Sequence, residues 1–71
     1  MQDISTKNFV VESFQILNLS WSDKLSLEKV ENAYNSVVNF HNEQLEQGIF
    51  PTYEIESINT AKNYLIGFYH L

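Results

Sequence analysis

The sequence predicts an all-α fold of three helices, and three observations carry that expectation. Apolar residues recur at steps of three and four along two long segments, the spacing that draws one face of a helix. No segment shows the strict alternation of a half-buried strand. Two stretches, Ser20-Trp21-Ser22-Asp23-Lys24 and Gly48-Ile49-Phe50-Pro51, interrupt the pattern with polar or helix-stopping residues.

The first helix is expected over about residues 7–19, with Phe9, Val10, Phe14, Ile16 and Leu17 as its apolar set. Their spacing is only approximately helical. The second is expected over 27–47. Ser26 stands where an N-cap hydroxyl would accept from the first turn, and Glu28 sits beside the positive end of the helix dipole. Leu27, Val30, Tyr34, Val37, His41 and Leu45 trace one continuous face, and Gly48 is placed to end the helix. Pro51 blocks continuation, and Thr52 is placed to cap a third helix over 52–70 whose face is Ile55, Ile58, Ala61, Leu65 and Phe68. Two long antiparallel helices joined by a short loop, with a shorter helix laid across them, form the expected architecture.

A chain of 71 residues holds one core, so residues 1–71 read as a single domain. Hydrophobic residues make up 44% of it, enough for that core and too many for a disordered tail. With no cysteine, neither disulfides nor thiolate–metal bonds brace it, so packing alone must hold it together. The net charge of −5, from nine carboxylates against four lysines, lacks the basic cluster that phosphate backbones or anionic membranes require. No run of about 18 apolar residues is present to span a bilayer. Met1-Gln2-Asp3-Ile4-Ser5 lacks the basic-then-apolar order of a secretion signal, and a cytoplasmic location is the default expectation.

Several segments together resemble the J domain of DnaJ-type co-chaperones. Phe14-Gln15-Ile16-Leu17-Asn18-Leu19 is similar to that family's opening aromatic-acidic-Ile-Leu-Gly-aliphatic segment. The run from Ser26 to Ala33-Tyr34 resembles the start of its second helix, and the run from Ile55 to Leu65, with Ile58-Asn59-Thr60-Ala61, its third. The likeness covers about residues 14–66 and implies a three-helix J-domain-like fold with Ala33-Tyr34 packed into the core. Two departures bear on function. The family carries His-Pro-Asp after the second helix, needed to stimulate ATP hydrolysis by the partner chaperone. Here His41-Asn42-Glu43, or Asn42-Glu43-Gln44 on an ungapped reading, stands nearest, without the proline or the aspartate. The family's second helix is basic, whereas this one sets Lys29 against Glu28, Glu31, Glu43 and Glu46. Like charge opposes the usual docking on an acidic chaperone surface. The resemblance therefore implies a fold without the activity.

Residues that could carry chemistry are few. His41 lies on the periodic apolar face with no nameable orienting partner, which fits a half-buried core or interface histidine better than a base. His70 is one residue from the end, where it would cap a helix C-terminus or do nothing. No H-E-x-x-H spacing, phosphate-cradling glycine loop or nucleophile elbow is present, so no metal, cofactor or catalytic residue is assigned and the chain is not expected to be an enzyme. Glu28/Glu31 and Glu43/Glu46 lie among Asn and Gln and read as a solvated face.

Partner-binding candidates are Trp21, Phe50, Tyr53, His41, Glu43 and Glu46, with Tyr64 and Tyr69 as an extension of that surface. Trp21 and Phe50 sit in connectors, where a ring either folds down to cap the core or anchors a partner. Three roles are consistent with this. One is a degenerate J-like adaptor or decoy bound to a chaperone or J-protein assembly. Another is a small acidic regulator covering a basic surface of a nucleic-acid enzyme. The last is a self-associating structural protein. Partners would be proteins, in a homo- or heterodimer or larger assembly, and not nucleic acid or membrane.

Overall fold

The computed structural model describes the backbone of residues 2–20 and 24–71, and the side chains of 9–20 and 24–71. Three helices follow in order: α1 (Gln2–Ile16), α2 (Leu27–Glu46) and α3 (Ile55–Phe68). No strand occurs among the described residues, so the fold is all-α.

All three helices end in the same way. After α1, Asn18 turns into the left-handed region at φ 57°, its N–H donates to the Gln15 carbonyl, and the Leu19 N–H reaches back to Phe14 at 2.8 Å. After α2, Gly48 takes φ 75°, with Gly48 N–H to Leu45 and Ile49 N–H to Gln44 at 2.8 Å. After α3, His70 takes φ 57°, with His70 N–H to Gly67 and Leu71 N–H to Ile66 at 2.9 Å. Each is a Schellman motif, which satisfies carbonyls that a helix end would otherwise leave without donors.

The beginnings differ. Ser26, extended at φ −143°, accepts the Lys29 N–H on its side-chain oxygen at 3.2 Å and starts α2 where its residue type suggests. α3 starts at Ile55, three residues later than expected. The Thr52 N–H donates to Gln44 Oε1 on α2, so residues 51–53 form a bend tied back to that helix and Thr52 is not its cap. Glu54 takes the N-cap position without a side-chain hydrogen bond. α3 also ends two residues short of 70, where His70 leaves helical geometry. α1 begins at Gln2 rather than near residue 7, because nothing between 2 and 16 is glycine or proline to stop it.

α3 is the helix the other two share, packing against both α1 and α2. Its Ile58, Ala61 and Leu65 are all buried, as expected of a face covered from two sides. α1 and its C-terminal turn contribute Val10, Phe14, Ile16 and Leu17, and α2 contributes Val30. Ala33, Tyr34, Val37, Val38, Leu19, Leu25 and Leu71 close around this set. The long apolar face of α2 is covered only in its middle: Leu27 and Leu45, at its two ends, remain exposed.

Aromatic rings line the seam between α1 and α3. Phe9 meets Tyr64 edge-on at 4.5 Å between centroids, Tyr64 stacks on Phe68 at 5.7 Å, and Tyr69 stands edge-on to Phe68 and Phe14. Such pairs add about 0.5–1.5 kcal/mol each beyond the area they bury. Between α2 and α3, the Tyr34 hydroxyl donates to Asn59 Oδ1, and Lys62 Nζ lies 4.5 Å over the same ring.

Candidate functional site

A depression opens where the end of α1, the middle of α2 and the segment before α3 meet. It encloses about 460 Å³ and is lined by Gln15, Ile16, Leu17 and Asn18 from α1 and its cap. Ala33, Ser36, Val37 and Phe40 come from α2, and Thr52 and Tyr53 from the connector. Three helix-derived features place these residues. The Schellman turn at Asn18 ends α1 beside α2; the steps 33, 36/37 and 40 set one stripe of α2 toward it; the Thr52–Gln44 hydrogen bond holds the connector against that stripe.

Two smaller cavities adjoin it through shared walls. One, of about 240 Å³, is lined by Phe9, Glu12, Ile16, Tyr53, Glu54, Glu56, Ser57 and Thr60. It shares Ile16 and Tyr53 with the large groove. The other, of about 20 Å³, lies among Val37, Phe40, His41, Gln44, Thr52, Tyr53 and Ile58. That is room for about one water molecule. His41 Nδ1 is buried and has no hydrogen-bond partner among the described residues.

The candidates from sequence divide on this geometry. Tyr53 lines all three cavities and stays partly exposed. His41 is half-buried beside the smallest cavity. Phe50 does not fold down onto the core: it is 94% exposed at the tip of the α2–α3 connector. Glu43 and Glu46 are exposed on α2 and line none of these three cavities. Trp21 lies outside the described residues. Tyr64 and Tyr69 belong to the aromatic seam between α1 and α3, where Tyr64 is half-buried against Phe9 and Phe68.

Other residues of this surface were not singled out by sequence. Phe40 is 55% exposed on the groove wall, and Leu45 and Ile49 are exposed further along toward Phe50. Glu12, Glu54 and Glu56 come from two helices and one connector and meet only in the fold. A signal for Phe40 was available, since it stands off the buried stripe of α2. No sequence signal joins Glu12 to Glu54.

No group of three or more histidines, aspartates or glutamates that could hold a metal ion occurs among the described residues. None of the described helices is long and apolar enough to cross a membrane. No family model, curated protein or solved structure matches the chain.

Proposed function

We propose that this chain is a protein-binding domain without catalytic activity of its own, a degenerate J-like adaptor or decoy working in the cytoplasm. The observation that carries the binding reading is Phe50, a large ring 94% exposed at a loop tip. Two residues on, the chain enters an apolar groove that has Phe40 and Tyr53 on its walls. Scattered exposed apolar residues need no explanation, but Phe50 stands beside exposed Ile49 in the connector, and a large exposed ring is the kind of side chain that anchors interfaces.

The J-like part rests on the sequence resemblance, whose core positions are filled by apolar side chains here. Val30, Ile58, Ala61 and Leu65 are buried, and Ala33 and Tyr34 pack against them. The helical-hairpin reading is supported by two contacts, Gln44 on α2 meeting Thr52 in the connector and Tyr34 on α2 meeting Asn59 on α3. Failure to stimulate a DnaK-type ATPase is supported at the place where His-Pro-Asp would stand. His41-Asn42-Glu43 lies within α2, in helical backbone, rather than in a loop after it. The alternative of a small acidic regulator is favoured by the three carboxylates around the smaller groove.

The test compares the wild-type chain with Phe50→Ala as bait in native lysate, followed by titration of the purified partner and an ATPase assay with a DnaK-type chaperone. The expected result is a partner that binds the wild-type chain, binds the variant at least tenfold more weakly, and no stimulation of hydrolysis. Stimulated hydrolysis would sink the silent-adaptor reading. Recovery of bait alone, above monomer mass on a sizing column, would replace it with self-association.

A further inference from the structure

We infer that the two adjoining depressions form one docking groove for a partner-protein segment that carries an apolar side chain beside a lysine or arginine. This rests on the binding-domain reading above and names the chemistry of what binds. Ile16 and Tyr53 wall both depressions, which sets an apolar end directly beside an acidic end. The apolar end, with Val37 and Phe40 on its α2 wall, encloses about 460 Å³, within the range of roughly 300–1,000 Å³ in which ligand sites fall.

The acidic end has Glu12, Glu54 and Glu56 on its walls and no lysine among the described residues that line it. Glu54 and Glu56 stand at the N-terminus of α3, where the helix dipole alone favours carboxylates. Glu12 has no such reason to be there. It sits in the C-terminal half of α1, and folding carries it across to the other two. A cation on a bound segment would face three carboxylates at this end.

Charge decides between occupants. A second copy of this chain brings a further −5 with only four lysines, so docking copy on copy sets carboxylates against carboxylates. Nucleic acid and anionic lipid bring phosphates to the same carboxylates. A protein segment with an apolar anchor and a neighbouring cation satisfies both ends at once.

The test uses two 15-residue helical peptides that share a leucine face and carry either lysine or glutamate elsewhere, titrated into the full chain by fluorescence anisotropy and amide chemical-shift mapping. The lysine peptide is expected to bind at least tenfold more tightly, with shifts centred on Ile16, Val37, Tyr53 and Glu54. The E12Q/E54Q/E56Q variant, exposed at all three positions, should weaken it roughly tenfold, as three exposed ion pairs allow. In 1 M salt, where the screening length falls to about 3 Å, that difference should vanish. Ser36→Trp, at an exposed groove position, should block binding while circular dichroism shows the helices intact.

Equal binding of the two peptides, an unchanged affinity of the triple glutamine variant, or shifts mapping elsewhere would each overturn the proposal. So would no binding of the lysine peptide. Should Phe50→Ala still abolish capture of the native partner in that event, the binding-domain reading survives and only the groove's chemistry is lost.

Discussion

Tyr34 on α2 donates its hydroxyl to Asn59 Oδ1 on α3, twenty-five residues along the chain, while Lys62 lies over the face of the same ring. One side chain therefore joins the two helices by its edge and by its face. Tyr34→Phe keeps the ring and the cation over it but leaves the part-buried Asn59 oxygen without its donor. A loss of about 1 kcal/mol is expected in urea unfolding. A double-mutant cycle with Asn59→Ala should return most of that as coupling. Additive effects of the two changes would show that the hydrogen bond contributes nothing in solution.

The helix ends make a matched set for substitution. Gly48 and His70 occupy equivalent positions after α2 and α3, both in the left-handed region. At Gly48 an added Cβ meets nothing within 4 Å, so Gly48→Ala tests backbone strain alone and should destabilise by about 1 kcal/mol. His70→Gly should shift stability the opposite way, by roughly 0.5–1 kcal/mol, since it relieves the same strain. Thermal and urea unfolding of the two variants checks the pair of signs. Movement of both in one direction would contradict the shared geometry.

How much of this was legible in the sequence followed from how local each cause is. α2 was readable to within a residue, because Ser26 and Gly48 act on backbone groups within their own helix ends. The start of α3 was not, because Thr52 is held by Gln44 on another helix, and that contact exists only once the chain has folded. The early start of α1 is not legible because its first seven residues hold a single apolar side chain, Ile4, too few to draw a periodic face. For the candidate site, connector position singles out Phe50 but leaves open whether its ring caps the core or stays exposed, and Tyr53 is expected within the third helix, whereas it lies in the connector before it. The acidic groove was illegible, since Glu12 joins Glu54 and Glu56 only through the packing of α1 against α3.

Periodicity gives Leu45 and Leu65 equal rank as apolar face residues, yet Leu65 is 0% exposed and Leu45 54% exposed. Leu65→Ala removes buried methyl groups at the junction of all three helices, which costs about 2–5 kcal/mol. A domain this small has total stability of roughly 3–5 kcal/mol. The variant should therefore be largely unfolded by circular dichroism at 37 °C. Leu45→Ala should unfold within about 0.5 kcal/mol of the parent. A large loss at Leu45 would mean that the end of α2 is covered in solution, as self-association through that surface would require.

Ser13 stands on the buried face of α1 between Val10 and Leu17, one turn from each, and is itself 0% exposed. Its hydroxyl oxygen has no hydrogen-bond partner among the described residues. A buried hydroxyl without a partner loses its hydration and gains nothing in return, a penalty of about 1–3 kcal/mol. Ser13→Ala removes that group, leaves a methyl of similar size in place, and substitutes the strongest helix former. The variant should gain roughly 1 kcal/mol in urea unfolding with an unchanged denaturant slope, since the surface exposed on unfolding stays the same. A neutral or destabilising result would place the hydroxyl in a hydrogen bond after all, with the Phe9 carbonyl one turn back as the acceptor within reach. Stabilisation without loss of partner binding would separate the α1–α3 seam from the function of the groove beside it.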